Sequence, residues 1–210
     1  MPPPLDEDEL EAAPIWPAFG DLMACLFGIF VLFFVWTVSI DTALARDLAN
    51  EKTSRAAETA RREALERALA GPLAAGHITL EGGKIGIRGN VLFDLNSADL
   101  RDEGAQVLHD VAGPLAAYLA DRSELVMVSG FTDDRVIHGG IGSYRDNWEL
   151  SAQRALTITR ALEADGIPHE ALFAAGFADN HPIADNGTGD GRAKNRRVEI
   201  APVLRSAVPR

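Results

Sequence analysis

The 210-residue chain carries 31 acidic against 20 basic side chains, a formal charge of −11, with 47% apolar residues. That balance leaves no basic face to neutralise phosphates, which argues against nucleic acid as a partner. Its one cysteine, Cys25, rules out an intrachain disulfide, and the length leaves room for one soluble domain of ordinary size beside a membrane helix.

Residues 1–14 hold three consecutive prolines, then Asp6, Glu7, Asp8, Glu9 and Glu11 with no compensating base. They read as a disordered acidic tail. From Ile15 to Ile40 the sequence is almost continuously apolar, and the 19 residues from Leu22 to Ile40 carry no formal charge. This is the length one helix needs to cross a bilayer core of roughly 30 Å, so a transmembrane helix is predicted over residues 15–41. Ala43-Leu44-Ala45 resembles a small-residue cleavage site, but no positive charge precedes it and the apolar run exceeds a normal signal-peptide core. Asp21 is the one carboxylate near the start of the run. A charge at mid-membrane costs about 2.5–3.5 kcal/mol on insertion scales and needs a partner, water or an ion. Two readings stand: Asp21 binds an ion, or it is an interfacial acid favoured by the helix dipole. Trp16, in the position of an interfacial aromatic, puts the boundary before Asp21 and favours the first.

Residues 42–76 switch to Ala, Glu, Arg and Leu, with Glu58/Arg62 and Glu63/Arg67 at i, i+4 spacing. A helical linker is expected, as spacer, weak dimer stalk or pore cover, broken at Gly71-Pro72. Its apolar positions, Leu44, Leu48, Leu65 and Leu69, are too thin for a strong coiled coil.

The domain is expected over residues 77–205, with 206–210 a tail. Ile78, Leu80, Ile85 and Ile87 flank Gly82-Gly83 as a hairpin, and Val91-Leu92-Phe93 reads as a further short strand. Val107, Leu108, Val111, Leu115 and Leu119 follow helical spacing, with a kink or break expected at Gly113-Pro114. Leu125–Ser129 is a buried-type strand, Leu150–Leu162 a second helix ending near Gly166, and Leu172–Phe177 and Val198–Val203 the last strands. The fold class is thus one N-terminal transmembrane helix plus an α+β domain, a mixed sheet with helices on one face.

Polar side chains gather at the loops of that sheet: Gly130-Phe131-Thr132-Asp133, Asn147 to Ala155, and Asn195-Arg196-Arg197-Val198-Glu199. A carboxylate, an amide and guanidinium groups at neighbouring loop ends can hold a zwitterion, since Arg binds carboxylate through two parallel hydrogen bonds. Equally, Asp133 and Arg154 could pair with each other and pin the loop. An enzyme has little support: His77, His109, His138, His169 and His181 lack metal-ligand spacing, and no nucleophile is matched with a base.

These segments resemble the OmpA-like peptidoglycan-binding domain over roughly Ile78 to Val203. The resemblance rests on Phe93-Asp94-Leu95-Asn96, Gly130-Phe131-Thr132-Asp133, Asn147 with Leu150, Ser151, Arg154 and Ala155, then Gly176, Pro182, Asn186, and Asn195-Arg196-Arg197-Val198-Glu199. It implies that Asp133 and Arg154 hold the amine and carboxylate of a diaminopimelate stem peptide. Asn96, Thr132, Asn147 and an arginine of the pair Arg196 and Arg197 would line the same pocket. Phe131 stands where His or Tyr is common, a departure that touches fine specificity.

Asn147-Trp148-Glu149-Leu150-Ser151, Gly191-Arg192-Ala193-Lys194-Asn195-Arg196-Arg197 and the segment Trp16, Asp21-Leu22-Met23 are similar to MotB, the wall-anchored subunit of ion-driven stators. That resemblance implies a homodimer of B subunits inside five MotA-like or ZorA-like membrane subunits, with Asp21 carrying a proton or Na⁺ and no resident cofactor. The acidic tail and the roughly 35 residues between membrane and domain depart from flagellar members and resemble the B subunit of Zorya anti-phage systems. A flagellar or other stator, and a non-conducting membrane-tethered wall-binding protein, are the alternatives. Arg46, Lys52 and Arg55 follow the apolar run while residues 1–45 carry no base; the positive-inside rule taken alone would place the domain in the cytoplasm. Peptidoglycan lies outside the inner membrane, so the resemblance implies a cytoplasmic N-terminus and a periplasmic domain.

Overall fold

The computed structural model describes residues 15–120, 122–137 and 144–207. The expected acidic tail 1–14, His138 and residues 208–210 lie outside the described residues. Helix α1, Ile15–Ala68, carries the apolar run. Leu22, Met23, Leu26, Phe27, Ile29 and Phe30 are all exposed, so the apolar surface goes round the whole helix instead of forming one stripe. A helix of that kind needs a lipid or protein environment on every side, and this one is long and apolar enough to cross a membrane. The hydroxyls within the run are satisfied locally, Thr37 Oγ1 donating to Phe33 O at 2.9 Å and Ser39 Oγ to Val35 O at 2.8 Å. Asp21 has no hydrogen bond or ion pair among the described residues.

The chain divides into two compact units, residues 1–57 and 58–210. The second takes up the chain earlier than His77. Leu65 and Leu69, one turn apart near the end of α1, are 2% and 0% exposed within its core, each worth roughly 1.5–3 kcal/mol of burial. Gly71-Pro72 does not make the break. The chain turns at Leu69, and both residues enter α2, Ala70–Ala74, where Pro72 falls in the first turn and its missing N–H costs no helical bond.

Strand β1, Thr79–Glu81, and β2, Lys84–Arg88, form the expected hairpin. Gly82 and Gly83 both have positive φ, 59° and 78°, which a two-residue turn matched to strand twist requires. Val91-Leu92-Phe93 is not a strand. Gly89–Leu92 forms the single turn α3, and only Phe93 makes a lone bridge, to Leu100. Helix α4, Asp102–Leu119, runs unbroken through Pro114; the carbonyl that loses its partner belongs to exposed Asp110, where water can bond it. Strand β3, Glu124–Gly130, helix α5, Asn147–Ala164, and strand β4, Leu172–Gly176, make a parallel crossover. After the short helix α6, Gly189–Asn195, strand β5, Arg197–Leu204, returns to the centre of the sheet. The order is β1-β2-β5-β3-β4, antiparallel except for β3 with β4. Ile85, Ile87, Val126, Val128, Val198 and Ile200 share one core with Leu108, Val111 and Leu115 of α4 and Ile158 and Leu162 of α5.

Glu124 at the start of β3 is buried. Its carboxylate accepts the Tyr118 hydroxyl at 3.1 Å and lies 3.7 Å from Arg61 Nε of α1. Burial, reinforced by the Glu124 charge, pushes the Tyr118 phenol up to about 12. An acid whose folded pKa is raised stabilises the fold fully below its unfolded value near 10 and loses that contribution as pH climbs through about 12. Circular dichroism between pH 10 and 12 is expected to record a loss of stability that Tyr118→Phe flattens.

Two glycines set how closely α5 approaches the strand ends. A Cβ on Gly130 would sit 2.1 Å from Ser151 O, and one on Gly176 2.7 Å from Ala152 N. Both neighbours are helix backbone and cannot step aside. Gly130→Ala is expected to cost about 3 kcal/mol or more as overpacking and to displace the α5 turn that carries Ser151 and Arg154. Chemical denaturation of the variant checks this.

Candidate functional site: a cleft at the strand ends

Three chain segments meet where β3 ends and β5 begins. The first is the turn 94–97, in which Ser97 N donates to Asp94 O at 3.2 Å. Asn96 occupies it with φ 56°, a conformation Asn tolerates better than most side chains. The second is the end of β3, where Phe131 N donates to Arg197 O and Thr132 N to Ala178 O. The third is the start of α5. Asp146 caps it, accepting Glu149 N at 2.9 Å, and Glu149 reaches back to Arg145 N at 2.6 Å. This reciprocal cap fixes where the helix begins. Asn147, Leu150 and Arg154, spaced i, i+3, i+7, then share one face.

Together they enclose a cleft of about 140 Å³ lined by Asn96, Thr132, Asp133, Asn147, Arg154 and Arg196, with Leu95, Arg135, Val136 and Ile137 as walls. Arg154 is only 4% exposed. Its Nε donates to Ser97 O at 2.8 Å and its Nη2 to Asp94 O at 3.4 Å, and it lies 5.2 Å from the Phe93 ring centre. No carboxylate pairs with it among the described residues. Burial draws its guanidinium down to about 10, with nearby Arg196 adding to the shift and Tyr144 and Asp133 opposing it; it stays charged at neutral pH.

Asp133, 7% exposed, pairs with Arg196, not Arg154: Arg196 Nη1 stands 2.6 Å from Asp133 Oδ2, and Oδ1 accepts Arg135 N at 3.2 Å. The pinning pair considered from sequence is therefore made with a different arginine. Asn147 Nδ2 donates to the carbonyls of Asp133 and Arg135 at 3.2 and 3.1 Å, which holds the loop after β3. Thr132 Oγ1 is buried with no hydrogen-bond partner among the described residues. Arg197 is the one predicted residue of this group outside the cleft. Alternation along the chain sends Arg196 inward and Arg197 to the other side, where it lies 3.8 Å from the Phe131 ring centre and donates to Glu199 at 2.6 Å and His181 O at 3.2 Å. Asp21 belongs to the other compact unit.

Leu95, Arg135 and Val136 were missed from sequence. Leu95 and Val136 are highly exposed apolar side chains at the rim, and an apolar residue inside a turn such as Asp94-Leu95-Asn96 is the signal that could have found the first. Asp146 with Glu149, an acid followed three residues later by Glu, marked the start of α5.

The OmpA family matches residues 92–196, half of the chain. The chain belongs to the OmpA family. It is 39% identical over 111 residues to the probable lipoprotein YiaD of Escherichia coli, covering 53% of this chain and 47% of that protein. It is 30% identical over 131 residues to motility protein B of Bacillus subtilis, covering 62% and 48%. Among solved structures it resembles the cell wall anchor of the type VI secretion system from Pseudomonas aeruginosa, with 34% identity, a TM-score of 0.54, and 67% of this chain and 96% of that one covered. The chain spans about half the length of the curated relatives it matches. The matches support a MotB-like OmpA domain joined to one long apolar helix. The relatives named are a lipoprotein, a motility protein and a wall anchor, none an enzyme.

Proposed function

We propose that the chain is the B subunit of an ion-driven stator, fixed to peptidoglycan by the cleft and conducting through Asp21. The observation that carries the anchoring half is Arg154, a buried cation that among the described residues donates to carbonyl oxygens and meets no carboxylate. A buried charge without a counter-ion is costly unless a ligand supplies one, and the carboxylate of a diaminopimelate side chain does so. The motility and wall-anchor relatives support the same reading. The conducting half rests on Asp21, a carboxylate in an apolar helix with no partner among the described residues, and takes a MotA-like ring around a dimer of this chain as its partner. The N-terminus is then cytoplasmic, the domain periplasmic and the helix in the inner membrane. A Zorya-type anti-phage complex is the machine we favour over a flagellar one, because only the 17 residues 41–57, all helical, separate the apolar run from the second compact unit. That leaves little chain for a long extensible linker.

Co-sedimentation of the full-length protein in detergent with diaminopimelate-containing sacculi tests the anchor. Retention that free diaminopimelate competes away is expected; a protein left in the supernatant overturns the reading. The alternative of a non-conducting tether, favoured by the lipoprotein relative, predicts the same retention with no ion flux.

A further inference from the structure

We propose that the cleft recognises a free carboxylate and rejects the corresponding carboxamide, so that amidation of the diaminopimelate side chain releases this protein from the wall. The inference rests on the peptidoglycan reading above and concerns which chemical form of that ligand is held.

The charged side chains lining the cleft are Arg135, Arg154, Arg196 and Asp133, three cations and one anion, so the cleft carries positive charge in excess. The anion is already served from within the chain. Asp133 Oδ2 meets Arg196 at 2.6 Å and Oδ1 accepts Arg135 N at 3.2 Å, so a ligand amine finds that carboxylate compensated and must compete for it. Arg154 is in the opposite condition. Of the five N–H donors of a guanidinium, two are used, on Ser97 O and Asp94 O, and neither acceptor carries a charge. A carboxylate meets both needs together: it supplies the missing counter-charge and accepts two parallel bonds from the guanidinium. A carboxamide offers one acceptor and turns its NH₂ donors towards N–H groups, leaving Arg154 buried and unpaired.

The charge-assisted bonds are about twice as strong as neutral ones, so a penalty of roughly tenfold or more in affinity is expected from the amide. The experiment titrates the full-length protein in detergent with three soluble muropeptides that differ only at the third residue: diaminopimelate with its side-chain carboxylate free, the same residue amidated, and lysine, which keeps the amine but lacks the carboxylate. The free acid is expected to bind, and the amide and the lysine form to bind at least tenfold more weakly. Equal binding of acid and amide, or lysine binding as well as the acid, overturns the carboxylate requirement while leaving peptidoglycan as the ligand. Binding of none of the three overturns both.

Discussion

Replacing Arg154 with glutamine is expected to remove the protein from diaminopimelate-containing sacculi, with affinity down thirty-fold or more, from a loss of about 2–5 kcal/mol for deleting one side of a buried charged hydrogen-bonded pair. Glutamine keeps a polar terminus of intermediate length, so what is lost is the charge and the two-pronged donor geometry. The same side chain also ties the turn 94–97 to α5 through Ser97 O and Asp94 O. A fall in stability of about 1–3 kcal/mol is therefore expected alongside, and retention is to be measured at a temperature where both proteins are folded by circular dichroism. Arg154→Lys separates the contributions, because it restores the charge without the fork and is expected to recover part of the binding. Full binding by the glutamine variant would make Arg154 a loop-fixing residue only.

Asp21→Asn is expected to bring ion flux and the work it drives to background, while the protein still assembles with its MotA-like partner and still sediments with sacculi. The substitution keeps size and hydrogen bonding but cannot take up and release an ion by changing charge. The position matters because the hydroxyls in the apolar run, Thr37 and Ser39, are spent on carbonyls of their own helix, whereas Asp21 has no such bond among the described residues. An ionised carboxylate held there costs about 2.5–3.5 kcal/mol if it meets lipid, so a functional partner must offset it. Co-expression with the neighbouring membrane subunit, flux across proteoliposomes and purification of the complex form the measurement. Unchanged flux, or an absence of flux in the unaltered protein, would reduce α1 to a tether.

Much of this was legible along the chain because it depends on local periodicity or on residue types that only one environment suits. The apolar run from Leu22 to Ile40 needs no fold to be read. The Gly82-Gly83 hairpin and the stripe Val107, Leu108, Val111, Leu115 follow from period and turn chemistry. Local rules failed where a tertiary term outweighed them. Pro114 does not break α4, since the helix is held by the residues it buries on the opposite side and only an exposed carbonyl is released. Leu65 and Leu69 belong to an apolar pattern too thin for a strong coiled coil, yet with Ala64, Ala68 and Leu73 beside them they pack against the core of the second unit.

By itself the sequence determined that one helix suits a membrane, that Asp21 is the one acid within its apolar run from Ile15 to Ile40, and that Asn96, Thr132, Asp133, Asn147 and Arg154 lie in the loops and helix start of an OmpA-type domain. Only the tertiary structure decided which charges meet. Asp133 and Arg154 are 21 positions apart, Asp133 and Arg196 63, and nothing in spacing distinguishes the two pairings. The antiparallel register of β3 with β5, Gly130 opposite Val198, brings Arg196 to Asp133 and turns Arg197 away. Meanwhile the close approach of α5 over Gly130 sets Arg154 against the carbonyls of Ser97 and Asp94, with no carboxylate paired to it among the described residues, which leaves the cleft a cation to offer a ligand.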